Sequence, residues 1–341
     1  MKNTIKHITK YLDKVFSPFS RNTTIKSKDY AYYLVKSSQG NTYVETHSNK
    51  ADSLHWRIKG IYEEDIFESY FIVLKDLIKF KRFSRIKVAI DYTHEDFYGD
   101  TRDFHIYEWN NKKQAQFHYI VLSIVNKECK IPVMAFPVML GHNKKKLVEL
   151  LLNYVEKLFC KPGLVLFDRG FNNSELIAYL EEQRYKYLML AQKCKTFSCM
   201  LEAVGIECPA EKLVVLKHEM TYCRDKSKHK ITTNLVLIYD VADYDWCFYT
   251  NLRKGDAFYY IITYKKRWNI ETDFRVQDEA HIKSKSSCYL IRFFYFMFSL
   301  LLHAIWSMKL KLSMPFKLFL IKIYEMMFCN ILNVDYISFP P

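Results

Sequence analysis

The sequence predicts an α/β protein: a mixed sheet flanked by helices, with a β-rich insertion late in the chain. Two observations carry this. Short β-branched runs recur between residues 86 and 191, separated first by polar loops and then by amphipathic helical stretches. Three strands joined by short loops imply an antiparallel meander, and the helical crossovers that follow imply parallel additions.

In chain order, residues 1–60 are polar, basic and weakly periodic, which predicts short helices with a loop around Ser37–Asn49. From Tyr62 to Phe80, Ile66, Tyr70, Ile72, Val73 and Leu77 recur at helical spacing. Ile86–Thr93 is a β-branched strand containing Asp91. Phe117–Val125 is a second strand and Ile131–Met139 a third, placed at a sheet edge by Pro132 and Pro137. Asn143–Phe159 is an amphipathic helix with Leu147, Leu150, Leu151, Tyr154, Val155 and Leu158 on one stripe, broken by Pro162-Gly163. Leu164–Asp168 is a fourth strand, Asn172 and Asn173 cap a helix through Gln183, and Tyr187–Ala191 is a fifth strand. The order β-β-β-α-β-α-β is that of a ribonuclease H-like fold. Its first and fourth strands are central neighbours, so Asp91 and Asp168 should face each other. Two carboxylates that close repel unless a cation sits between them.

Residues 192–252 interrupt the pattern, with strands expected at Leu213–His218, Asn234–Val241 and Trp246–Tyr249. One helix is then expected from about Asp256 to Glu279, followed by a basic, serine-rich turn with Lys283 and Lys285 and a basic-hydrophobic tail. The resulting division is 1–84, a basic, mainly helical DNA-binding region; 85–191 and 253–310, the two parts of a catalytic core; 192–252, the insertion; and 311–341, the tail.

The chain has 341 residues, 16% of them aromatic, and a net charge of +14. The first 60 residues hold eleven Lys or Arg against four Asp or Glu. That excess is a footprint for a polyanion, nucleic acid before membrane. Nine cysteines without a CxxC pair suggest reduced thiols in a cytosolic protein. Cys194, Cys199, Cys208 and Cys223 with His218 match no ordinary zinc spacing. Residues 1–20 lack the apolar core of a signal peptide. Tyr289–Met308 is long and apolar enough to span a membrane, but it contains Arg292 and His303, and a buried core helix is the better reading.

Tyr264-Lys-Lys-Arg-Trp-Asn-Ile-Glu271 carries the chemistry. Tyr264, Arg267 and Glu271 share one helix face at i, i+3 and i+7. The carboxylate can hold a divalent metal, and the guanidinium and hydroxyl can grip phosphate oxygens. The plainer reading is an exposed pair of Arg267 and Glu271 at i,i+4. Asp91, Asp168 and Glu271 are separated by 77 and 103 positions. Two-metal phosphoryl transfer needs such a carboxylate set. Gly170 in Asp168-Arg-Gly-Phe171 would permit a tight turn out of the strand.

Ala89-Ile-Asp-Tyr-Thr93, Asp168-Arg-Gly-Phe171 and Tyr264-x-x-Arg267-x-x-x-Glu271 together resemble the three catalytic motifs of bacterial and archaeal insertion-sequence transposases of the DDE class. The branch they most resemble has a β-strand insertion before the glutamate and a YxxRxxxE motif. Trp246–Leu252 and Leu302–Trp306 also resemble that branch, and the likeness covers roughly residues 85–310. The resemblance implies cut-and-paste transposition: metal-dependent hydrolysis at the element's ends, then attack of a 3′-OH on target DNA. It implies Asp91, Asp168 and Glu271 as catalytic metal ligands for two Mg²⁺ ions, with Mn²⁺ as substitute. It implies DNA contacts by Tyr264, Arg267 and Arg169. The family usually carries a basic residue seven positions after the glutamate; here that position is Asp278, and Arg275 or Lys283 would substitute. The implied partners are double-stranded DNA (terminal repeats and target) and a second copy in the DNA complex, without a membrane. The implied location is the cytoplasm, at the nucleoid. The alternatives are a nuclease or resolvase on the same fold, or a catalytically decayed DNA-binding derivative.

Overall fold

The computed structural model describes residues 2–19, 26–79, 85–99, 103–109, 114–126, 130–192, 194–207, 210, 212–253, 255–309, 311 and 313–332. Four helices come first: α1 (Lys2–Val15), α2 (Ser27–Gly40), α3 (Ala51–Lys59) and α4 (Glu63–Ile78). The strands and helices of the core follow: β1 (Lys87–Phe97), β2 (Ile106–Trp109), β3 (Gln114–Val125), β4 (Lys130–Val138), α5 (Lys144–Leu158), β5 (Leu164–Phe167), α6 (Ser174–Glu182) and β6 (Tyr187–Leu190). Next come α7 (Lys195–Glu207), β7 (Leu213–Arg224), β8 (Ser227–Ile238) and β9 (Trp246–Thr250). The chain continues through α8 (Ala257–Lys265), α9 (Trp268–Asp278), α10 (Tyr289–Lys309) and α11 (Phe316–Leu332).

The nine strands form one mixed sheet in the order β2-β3-β1-β5-β6-β9-β8-β7, with β4 also on β3. β1, β3 and β4 are antiparallel neighbours, while β1, β5 and β6 run parallel. This is the ribonuclease H-like sheet the sequence predicts. β9 then adds antiparallel to β6, so the insertion extends the same sheet instead of forming a separate one. β1 and β5 are central because Val88, Ala89, Ile90 and Leu164–Phe167 are apolar on both faces, the composition of doubly covered strands.

α10 runs through the core. It is long and apolar enough to cross a membrane, and 83% of its most apolar window is buried by the rest of the protein. Tyr11, Phe16, Phe293, Phe294 and Phe298 join α1 and α10 in one core that also takes in Tyr70 and Val73 of α4 and Phe319 of α11.

Several local expectations need correction. The helix expected over 256–279 is two helices, broken at Lys266 and Arg267. Leu150, placed on the buried stripe of α5, is exposed; Val148 and Leu152 are buried instead, so the stripe is rotated by part of a turn. Asn173 alone caps α6, accepting from the Leu176 amide, while the Asn172 side chain is buried without a partner among the described residues. β2 and α7 were not anticipated. Gly170 sits in a short 3-10 turn without a positive φ, and a Cβ there would meet nothing within 4 Å, so the turn does not depend on glycine.

Candidate active site

The parallel register of β1 and β5 pairs Lys87 with Leu164 and Ile90 with Phe167. One step further in that register, where pairing ends, stand Asp91 and Asp168. Asp168 leaves β5 and enters the turn Arg169–Phe171. The Phe171 ring stacks on Tyr92 with centroids 4.7 Å apart, which holds this turn against β1.

Tyr264 lies near the end of α8, and its ring packs on Trp246 and Phe248 of β9, at 6.1 and 5.2 Å. Its hydroxyl donates to Asp168 Oδ1 at 3.3 Å. Arg267, at the break before α9, makes three contacts. Nε donates to the Tyr264 hydroxyl at 3.2 Å, Nη1 to Asp91 Oδ2 at 2.5 Å, and Nη2 to Glu271 Oε1 at 2.7 Å. One planar guanidinium thus joins two of the three acids directly and the third through a phenol, a fork that lysine could not reproduce. The Arg267 side chain is 6% exposed and that of Asp91 13%, whereas Glu271 keeps 44%. Arg267 and Glu271 do pair at i,i+4, but the arginine is buried, so the plain surface-pair reading does not describe them.

Burial pushes the Asp91 carboxyl up to about 6, against the pull of Arg267, with Asp168 and Glu271 adding to the rise. Burial also raises the Tyr264 phenol, keeping it a neutral hydrogen-bond donor. Burial works against the charge of Arg267, but Tyr264, Asp91 and Asp168 hold it protonated. The donor set is hard oxygen in a partly buried setting short of positive charge, and in kind this suits Mg²⁺. Among the described residues, no group of three or more Asp, Glu, His or Cys is spaced to hold a metal ion, and Asp91 and Glu271 are instead hydrogen-bonded to Arg267.

The remaining expected DNA contacts are exposed. Arg169 is exposed on the turn after β5, and Arg275 is exposed on α9. Lys283 is exposed, and its amide donates to Thr42 O at 3.2 Å. Lys283, Asp278, His94 and Lys285 line one cavity of about 680 Å³ beside β1. Of the cysteines considered for zinc, Cys194, Cys199 and Cys223 are free and exposed, and Cys208 lies outside the described residues.

Sequence reasoning missed Glu95 and Arg292. Glu95 is four positions after Asp91 on β1 and so on the same face. Arg292 of α10 is paired with it, and also donates to Ser286 O at 2.6 Å and Ser284 O at 2.9 Å. Tyr119 donates to the other Glu95 oxygen at 3.3 Å. Burial pushes the Glu95 carboxyl up to about 7, against the pull of Arg292 and Tyr119. A signal existed: a lone arginine in an otherwise apolar helix needs a buried partner.

A family model described as the transposase DDE domain matches residues 87–306, a span that contains Asp91, Asp168, Tyr264, Arg267 and Glu271. Seven solved chains match. One, from the cryo-EM structure of the piggyBac transposase synaptic complex with hairpin DNA, has a TM-score of 0.58 at 12% identity over 97% of this chain and 78% of that chain. At that identity the likeness speaks to the fold. A search of curated proteins found no match. With the family model covering well over half of its length, the chain belongs to the DDE transposase family.

Proposed function

We propose that the protein carries out cut-and-paste transposition of an insertion sequence of the bacterial and archaeal kind. It hydrolyses phosphodiesters at the element's ends and then joins the freed 3′-OH to target DNA. The observation that carries this reading is the single guanidinium that links Asp91, Glu271 and, through Tyr264, Asp168. Asp91, Asp168 and Glu271 are the residues that would hold two Mg²⁺ ions, or Mn²⁺ in their place. Bound there, the ions would supply Lewis-acid activation of the attacking oxygen and stabilisation of the leaving one. Arg267 keeps Asp91 and Glu271 aligned, and Tyr264 orients Asp168. Arg169, Arg275 and Lys283 contact the DNA backbone, and the basic helices before β1 contribute to binding element ends. The working form is a homodimer on DNA, acting at the nucleoid.

The test is incubation with DNA carrying the element's own flanking repeats and Mg²⁺, beside a substrate with a pre-cut 3′-OH end. Nicks at the repeat boundary and joined strand-transfer products are expected. Hydrolysis without joining would instead make the protein a nuclease or resolvase. Binding without nicking would make it a decayed derivative.

A further inference from the structure

The amino ends of the parallel strands carry a second charged feature, on the side of the sheet opposite the carboxylates. A cavity of about 510 Å³ there is lined by Arg85, Lys87, Lys161, Arg184 and Lys186, with Pro162 and Gly163 and no acid. Five cations are gathered in one depression, and none forms an ion pair among the described residues. Lys161 spends its charge on the Gln183 carbonyl and the face of the Tyr185 ring, 4.5 Å away. Lys87 is held lower than an ordinary lysine by burial and by the neighbouring Lys266.

The depression does not end at these strands. Arg184 and Lys186 also line a second cavity of about 660 Å³ that reaches Lys217 and Arg253. Its one acid, Glu181, already accepts from Tyr187 and Asn251. The registers explain the alignment. Lys87 pairs with Leu164, Val165 with Tyr187, Leu188 with Thr250, Thr250 with Asn234, and Asn234 with Lys217. The basic residues therefore fall near one line across the sheet, Lys87 on β1 and Lys217 on β7, with the others just before β1, β5 and β6 and just after β9, while β8 contributes Asn234. Five interstrand steps of about 4.8 Å give a track of about 24 Å. At about 3.4 Å per base pair, that matches about seven base pairs of backbone. Like charges brought together in this way repel, and a row of phosphates is the ligand that removes the repulsion.

We propose that this track, from Arg85 and Lys87 through Arg184 and Lys186 to Lys217 and Arg253, is a second, sequence-independent DNA-backbone site remote from the reacting phosphate. Gly163 and Asp168 bracket β5, and five residues of strand place the two ends about 16 Å apart. The track therefore holds a stretch of duplex other than the one at the carboxylates. It rests on the reading of the protein as an enzyme acting on DNA.

The test uses the full chain and a 30-base-pair duplex of random sequence, with affinity measured by anisotropy from 50 to 300 mM KCl. The variant combines Arg85→Gln, Arg184→Gln and Lys186→Gln, three exposed positions, with an unchanged melting temperature as the folding control. Losing three phosphate contacts should make the log–log salt slope shallower by about 2 to 3 and lower affinity at 100 mM salt at least tenfold. Lys161 and Lys186 should also be protected from acetylation by the duplex. Wild-type binding with an unchanged slope in the variant would overturn the track alone. Protection by inorganic polyphosphate but not by duplex would overturn its assignment to DNA. A wild-type protein that binds no duplex at any salt would overturn the DNA reading itself, and the track with it.

Discussion

β1 carries two buried arginine–carboxylate pairs on one face, and they differ in their balance of charge. Glu95 meets Arg292, a tyrosine hydroxyl and two backbone-anchored contacts of the same arginine; one acid faces one base. Asp91 meets Arg267, but Asp168 and Glu271 crowd the same guanidinium; three acids share one base. A balanced pair is complete in itself and holds the 284–286 turn to the sheet. An unbalanced one is short of positive charge, and that shortage is what a substrate's metal ions can relieve. On the proposed function, the pair with the surplus is the working one.

The largest effect should separate the two by activity. Glu271→Gln keeps size and polarity but removes a charge from the surplus, so nicking should fall by at least about a hundredfold while duplex binding persists. Glu95→Gln, in a folded protein, should nick within a few-fold of wild type. Equal losses in both variants, measured on the same repeat-bearing substrate, would erase the distinction.

The next effect is on stability. Arg292→Met leaves Glu95 buried without its arginine, which should cost about 3–5 kcal/mol in urea unfolding. Replacing both partners by apolar residues of similar volume should recover most of that loss. If the double variant is as unstable as the single one, the pair is not self-contained.

A buried group with no counter-ion among the described residues is the limiting case, and His303 on α10 supplies it. Burial, with help from Lys311, pushes its imidazole down to about 3, and its Nε2 has no partner among the described residues. A folded-state value below the unfolded one means stability present above pH 6.5 and lost as pH falls through the folded value. Between pH 6.5 and 4.5 this should remove about 2 kcal/mol, and His303→Phe should flatten that part of the urea midpoint–pH curve. An unchanged curve would show that His303 is not buried neutral.

The smallest effect belongs to a pair in water. Lys145 and Glu149 on α5 are 2.9 Å apart with partly exposed side chains. Glu149→Gln should cost at most about 0.5 kcal/mol, because solvent and salt screen such pairs.

Much of this was legible in the chain. The β-branched run at 86–93 and the apolar run at 164–168 marked the central strands, because doubly covered strands are continuously apolar and such runs stand out. The strand order, with the first and fourth strands as central neighbours, already brought Asp91 opposite Asp168. Asn173 sat where a cap belongs, and it accepts an amide hydrogen bond. What was not legible depends on distant partners. β2 is four residues long and exists by pairing with β3. The break at Lys266 and Arg267 has no proline or glycine to announce it; the contacts of Arg267 with Asp91, 176 positions earlier, stand at that break. The Glu95–Arg292 pair spans 197 positions and leaves only an odd arginine in an apolar helix.

The hydrogen bonding of β9 to β6 bears on how the protein can be trimmed. Excising residues 192–252 would strip β6 of its outer neighbour and leave a bare row of N–H and C=O groups, the template on which chains stack into aggregates. The same excision would remove Trp246 and Phe248, the aromatic backing that keeps Tyr264 upright beside Asp168. A shortened enzyme would thus be both sticky and loosened at its centre, which makes the late β-rich segment a stabilising partner of the catalytic half and not a detachable ornament.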